Sequence, residues 1–169
     1  MRELSGIERG FMRSLWSGLA LIFLAATASH AFEIDGLSSG MSIEKAKKYL
    51  EGASYKNIQV KENGIIASGG NRLILLSFCK DELVLLQKQL APGFDNFVRL
   101  IDEKTRELGK PAVAWTEPAD VNLPVERNAV SFLWRDSQAA VKVTYTEFAS
   151  NRQLDIMYEV KNVCRQVLP

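Results

Sequence analysis

Three successive runs near the end of the chain, AVSFLW (129–134), AAVKVTYTEF (139–148) and LDIMYEV (154–160), carry apolar residues with a period of two. Val130, Phe132 and Trp134 share one side of the first run. Ala139, Val141, Val143 and Tyr145 share one side of the second, and Leu154, Ile156, Tyr158 and Val160 one side of the third. Successive side chains of a strand point to opposite faces, so this spacing fits extended chain and not helix. It predicts antiparallel sheet with one packed face and one wet face. Asp136-Ser137 marks a hairpin corner between the first two runs.

The first half carries comparable signals. YKNIQVKENGII contains Asn63-Gly64, a dipeptide that favours both left-handed positions of a tight hairpin turn. Gly69-Gly70 separates two further apolar runs, and LILLSFC (73–79) and ELVLLQKQL (82–90) flank Lys80-Asp81. Two helices interrupt the strands. GMSIEKAKKYLEG (40–52) has Ser42 as a cap, Ile43, Ala46 and Leu50 at helical spacing, and Gly52 at the stop. DNFVRLIDEKTRELGKP (95–111) is predicted to be capped by Asp95 and to bury Phe97, Val98, Ile101 and Leu108. Gly109 and Pro111 then end it. Asp102 and Arg106 lie one turn apart on its outer side, a spacing that favours an ion pair. AVAWTE (112–117) reads as a further strand, followed by a polar loop through Pro118 and Pro124.

The N-terminus sets the compartment. Arg2, Arg9 and Arg13 precede an uncharged apolar run from Leu15 to Ala28, which leads into Ser29-His30-Ala31. A basic lead, a short apolar stretch and small residues before a cut describe a secretory signal peptide over 1–31, cleaved between Ala31 and Phe32. A membrane-spanning helix needs about 20 apolar residues; this run has 14. No cysteine stands where a lipid anchor would be attached, so no stable membrane anchor is expected after processing. The expected location is the periplasm or the exterior.

Removal of the leader takes away three of 21 basic and two of 20 acidic side chains, leaving 18 of each. A chain without basic excess lacks the charge that displaces phosphate counterions, so no nucleic-acid partner is expected. His30, the single histidine, goes with the leader. The two cysteines, Cys79 and Cys164, are expected to form a disulfide in an oxidising compartment. Such a bond closes a long loop, worth on the order of 4 kcal/mol in the chain-entropy picture.

Several motifs invite catalytic readings and fail on their own chemistry. GLSSG (36–40) satisfies G-x-S-x-G, but a nucleophilic Ser38 needs a preceding buried strand and a histidine to take its proton. SIEK and SFCK match S-x-x-K without the companion elements of penicillin-recognising enzymes. The cysteines are too far apart in sequence for a zinc pattern, and no calcium loop occurs. Asp102, Glu103 and Glu107 form an acidic patch read as a solvated helix face. Cys79, beside Lys80, is read as a disulfide partner before a reactive thiol. No catalytic residue, metal or cofactor is therefore expected.

GMSIEKAKKYLEG resembles the Gly-Met-Ser/Thr helix opening of the small outer-membrane assembly lipoprotein family (SmpA/OmlA-like, or BamE-like). The tandem order of elements is similar to that of β-lactamase inhibitory proteins, which clasp a partner with paired helix-plus-sheet units. FVRLIDEKTRELGKPAVAW resembles a helix–Gly–Lys–Pro–strand segment of exported proteins. These resemblances imply a fold and a protein-binding style.

The expectation is an α+β protein of two similar units, each a helix followed by an antiparallel β-meander of about four strands. The units span 32–92 and 93–169, or merge into one combined domain. The expected function is non-catalytic: binding or inhibiting another exported or envelope protein, or supporting envelope assembly. The contact residues expected are Trp115, Glu117, Asp120, Asn122 and Glu126, on and beside the long loop from Thr116 to Asn128. The alternative is a periplasmic carrier of a small apolar ligand in a cleft between the units. Trp134 is assigned to the core.

Overall fold

The computed structural model describes residues 31–70, 72–117 and 127–164. Ten strands and two helices follow in order: β1 (Glu33–Ile34), β2 (Leu37–Ser38), α1 (Ile43–Gly52), β3 (Gln59–Lys61), β4 (Gly64–Gly69), β5 (Arg72–Cys79), β6 (Glu82–Leu90), α2 (Phe94–Leu108), β7 (Val113–Glu117), β8 (Arg127–Arg135), β9 (Ala139–Phe148) and β10 (Asn151–Val160). Strands β3 to β10 form one antiparallel sheet in the order β3-β4-β5-β6-β10-β9-β8-β7. The short β1–β2 hairpin stands apart from it.

This corrects the expected fold class. The described residues are mostly sheet, 52% strand against 20% helix, and do not divide into two helix-plus-meander units. The β6 and β10 strands pair directly, Leu154 opposite Leu90 through Glu159 opposite Leu85, so eight strands make one surface. Turn residues and alternation govern which neighbouring strands form hairpins. They carry no information about which distant edges meet, and the β6–β10 pairing is such a contact.

Directly paired residues share a face, so the registers assign every strand side chain to one of two surfaces. The first holds Ile65 and Ala67 of β4, Ile74 and Leu76 of β5, Leu86 of β6, Leu154, Ile156 and Tyr158 of β10, and Val143 and Tyr145 of β9. All belong to one buried cluster that also contains Ala46 and Leu50 of α1 and Phe97 of α2. Both helices therefore lie on this helix face. Phe97 stacks on Tyr145 with ring centroids 5.4 Å apart and meets Phe132 at 5.9 Å. The in-phase apolar residues of the three C-terminal runs point into this core, as their alternation predicts. Trp134 is buried there, and its Nε1 donates to the Gly109 carbonyl at 2.9 Å.

Local chemistry explains the element ends. Ser42 caps α1, its hydroxyl accepting from the Lys45 amide at 3.4 Å. Asp81, in the β5–β6 turn, accepts from the Ile43 amide at 2.9 Å and fixes the helix start to that hairpin. Lys80 and Asp81 are both left-handed, with φ of 52° and 66°. The tight turn expected at Asn63-Gly64 is displaced: Lys61 pairs with Gly64, so Glu62 and Asn63 form the loop. Gly64 instead opens β4, where a Cβ would lie 3.1 Å from the Leu76 carbonyl oxygen. Its value is close strand approach rather than turn geometry.

The expected Asp95 cap is also corrected. Gly93 is the N-cap of α2, without a side-chain cap, and Asp95 lies in the first turn, where its charge favours the helix dipole. Val98 and Leu108 are exposed, so the buried stripe is narrower than expected. Lys104 occupies part of it: the side chain is buried, its ammonium bound by Glu107 at 2.6 Å and lying 5.9 Å from the Tyr158 ring centre. Glu103 approaches the same ammonium at 3.6 Å, and Asp102 pairs with Arg106 at 2.6 Å. The acidic patch is thus engaged in intrahelical ion pairs.

Cys79 and Cys164 form the expected disulfide, with Cα atoms 5.8 Å apart. A disulfide fits a protein held outside the reducing cytosol. Among the described residues, no helix is long and apolar enough to cross a membrane.

Candidate functional site

The second surface of the sheet, the far face, is built from the out-of-phase residues of the same strands. Across β9 they include Lys142, Thr144 and Thr146; across β10, Gln153, Asp155, Met157 and Glu159; across β6, Leu85, Gln87 and Gln89; across β8, Arg127, Ala129, Ser131 and Leu133. None belongs to the buried cluster under the helices. Where strands β6, β10, β9 and β8 run side by side, these side chains enclose a cavity of about 200 Å³. Gln87, Lys142, Thr144, Gln153, Asp155 and Arg127 supply its polar lining, with Met157 and Phe148 as its apolar part.

The polar groups are ordered by one another. Gln153 Nε2 donates to Asp155 Oδ2 at 2.8 Å. The hydroxyls of Ser131 and Thr144, paired across β8 and β9, lie 3.0 Å apart. Burial raises the Asp155 carboxyl above the ordinary carboxylate range, against the opposing pull of Gln153, Gln87 and the positive charge of Lys142. Arg127 lies over the Phe148 ring, 5.5 Å from its centre, in a cation–π arrangement.

From Arg127, side-chain contacts lead toward the sheet edge. The Arg127 guanidinium approaches Glu117 Oε2 at 4.0 Å, and Trp115 Nε1 donates to Glu117 Oε1 at 3.1 Å. Trp115 pairs with Ser131 and Glu117 with Ala129, which places both on the far face. Two of the expected contact residues are therefore joined through Arg127 to the cavity. Asp120, Asn122 and Glu126 lie outside the described residues. The expected cut between Ala31 and Phe32 falls at the first of the described residues. Phe32 is buried, with its ring 5.9 Å from that of Tyr158, and the Ala31 amide donates to Ser39 Oγ at 2.8 Å.

Lys142, Asp155, Gln87 and Gln153 were not singled out from the sequence. The signal lay in the other half of the alternation: the letters out of phase with the core residues of AAVKVTYTEF and QLDIMYEV include lysine, threonine, glutamine and aspartate. Such letters read as ordinary solvated positions until neighbouring strands place them together.

A larger cavity, about 770 Å³, lies at the end of the sheet near Glu82, Asp136, Lys161 and Asn162. Its polar groups hold turns. Asp136 Oδ1 accepts from the Gln138 and Ala139 amides at 2.7 and 2.8 Å, which lowers its carboxyl below the ordinary range. Asn162 donates to the Val160 carbonyl at 2.7 Å and accepts from the Cys164 amide at 3.0 Å. The far face is the stronger candidate because its polar groups serve no turn or helix end.

The lining of the far-face cavity contains one carboxylate, Asp155. An acid–base pair of carboxylates is not assembled there, and the Thr144 hydroxyl is engaged with Ser131. Among the described residues, no group of three His, Cys, Asp or Glu side chains is placed to hold a metal ion. The arrangement is suited to hydrogen bonding and charge pairing. No protein-family model matches the chain, no curated protein is significantly similar to it, and no solved structure matches it significantly.

Proposed function

We propose that the chain is an exported, non-catalytic protein that binds another exported or envelope protein through the far face of its sheet, inhibiting that partner or supporting envelope assembly. One observation carries this reading: a row of directly paired residues from Trp115 through Ser131 and Thr144 to Asp155, flanked on one side by Lys142 and Gln87 and on the other by Glu117 and Arg127, spread over strands β7, β8, β9, β10 and β6. Strands fix such a band rigidly, so little side-chain order is lost when a partner docks. An aromatic and an arginine at its edge are the residue types that dominate interface energetics. The helix-opening resemblance to envelope-assembly lipoproteins supports the same style of action.

The location proposed is the periplasm or the exterior, after removal of residues 1–31. The disulfide supports it, and N-terminal sequencing of the natural product checks it: the first residue is Phe32 if cleavage follows Ala31. An apolar cargo held between two units finds less support, because β6 and β10 are hydrogen-bonded neighbours and the far-face cavity is mainly polar.

The test is capture from a native envelope extract by immobilised mature protein, with bound species identified by mass spectrometry. Trp115→Ala combined with Lys142→Glu abolishes capture of the species retained by the wild type, while Val98→Ser on the exposed side of α2 retains it. Equal capture by all three proteins refutes the reading.

A further inference from the structure

Lys142 and Asp155 face the same cavity with opposite charges and do not touch. Lys142 is opposite Met157, and Asp155 is opposite Thr144, so the two are diagonal neighbours across β9 and β10. Diagonal side chains start roughly 7–8 Å apart. Asp155 is held by Gln153 of its own strand and by Gln87 of β6. Lys142, half-buried, makes no hydrogen bond or ion pair among the described residues, whereas Lys104 and Lys88 are paired with Glu107 and Asp35. Arg127, a second cation on the lining, stands at the other end of the pocket, opposite Phe148.

A cavity that holds an anion and a cation apart, with planar amides and hydroxyls around them, is complementary to a ligand with the inverse pattern. An ammonium group would meet Asp155, and a carboxylate a few ångströms away would meet Lys142. Charge-assisted hydrogen bonds of this kind are about twice as strong as neutral ones. Size narrows the class: about 200 Å³ is below the roughly 300–1,000 Å³ of pockets that hold drug-sized molecules.

We propose that the far-face cavity between Asp155 and Lys142 is a binding site for a small zwitterion, a free α-amino acid with a short side chain. Met157 forms the apolar part of the lining near the ligand, and Thr144, Gln87 and Gln153 complete its hydrogen bonds. The inference rests on the far face being the recognition face.

Isothermal titration calorimetry on the mature protein tests it, with glycine, alanine, serine and tryptophan as ligands. N-acetylalanine and alaninamide each remove one charge, and glucose serves as a neutral control. The short amino acids bind; tryptophan and both blocked analogues bind more weakly by about tenfold or more, and glucose gives no heat. Asp155→Asn and Lys142→Gln each weaken alanine binding by about tenfold or more at unchanged melting temperature. Absence of binding by every free amino acid overturns the proposal, as does equal binding of the blocked analogues or preferential binding of glucose. Should either variant melt early, chemical-shift mapping of alanine on the wild type decides: shifts confined to β6, β9 and β10 support the site, and shifts elsewhere overturn it. Loss of partner capture by the Trp115 and Lys142 variant without amino-acid binding refutes this inference alone and leaves the docking reading standing.

Discussion

Leu86 and Gln87 are adjacent in β6 and face opposite sides of the same sheet. Leu86 is fully buried with Leu76, Tyr158 and the other members of the helix-face core. Gln87 lines the far-face cavity with Asp155 and Lys142. One face solves the folding problem: its side chains are apolar, and both helices cover it. The other mixes apolar and polar side chains, with Leu85, Leu133 and Met157 buried on it beside Ser131 and Thr146, which are only 2% and 3% exposed. Buried hydroxyls do not drive collapse, because burying a polar group costs free energy unless it is hydrogen-bonded.

Substitutions in neighbouring residues separate the faces most sharply. Leu86→Ala should cost roughly 3–5 kcal/mol, because the sheet and helices cannot close around the lost side chain. Gln87→Ala should cost less than about 1 kcal/mol. Urea denaturation of both variants checks the pair, and equal losses would erase the distinction. The disulfide gives the next effect. Cys79→Ser with Cys164→Ser should lower stability by up to about 4 kcal/mol, since a separation of 85 residues leaves a large loop unclosed. A matching loss in wild-type protein under reducing conditions confirms that the bond, and not the substitution, is responsible.

Two lysines provide a smaller contrast. Lys104→Ala on the helix face removes a packed stem and the partner of Glu107, and should cost about 1–2 kcal/mol, reduced by the solvent exposure of both glutamates. Lys142→Ala on the far face should change stability by less than about 0.5 kcal/mol. Thermal melts at low and high salt measure both. Lys104 also predicts a pH dependence. Burial lowers its pKa, but the bond to Glu107 and the charges of Tyr158 and Glu107 outweigh that and raise it above the ordinary 10.5. A lysine with a raised folded-state pKa contributes stability that is complete below 10.5 and is lost as pH rises through the folded value.

Asp155 has the smallest effect and the opposite logic. Its carboxyl is raised in the folded state, so the folded chain holds the proton more tightly than the unfolded chain. Stability from this group therefore increases as pH falls through its raised value, and is lowest when the carboxylate is fully charged. Asp155→Asn should remove that slope and leave neutral-pH stability unchanged or slightly higher. A steeper slope in the variant would contradict the burial of this carboxyl.

The helix face was legible in the sequence to the level of individual residues. Val130, Phe132, Val141, Val143, Tyr145, Leu154, Ile156 and Tyr158 were marked by period two alone, and Ala46 and Leu50 by helical spacing. Alternation records the phase of burial, and one strongly apolar face leaves an unambiguous phase. Val98 and Leu108 misled because an apolar letter in a helical window does not show how wide the buried stripe is; Lys104 fills part of it by extending its stem. The joining of β6 to β10 was not legible, since edge pairing depends on backbone groups that every residue carries. The far-face site was half legible. Trp115 and Glu117 stood out beside a long loop, whereas Lys142 and Asp155 became a pair only through the register of β9 on β10.

Site-specific photo-crosslinking in the native envelope tests the division between the faces most directly. A photoreactive side chain at Thr144, in the far-face cavity, should yield a discrete protein adduct, and one at Lys48 on the exposed side of α1 should yield none. Adducts from Lys48 with none from Thr144 would contradict the account and move recognition to the helices.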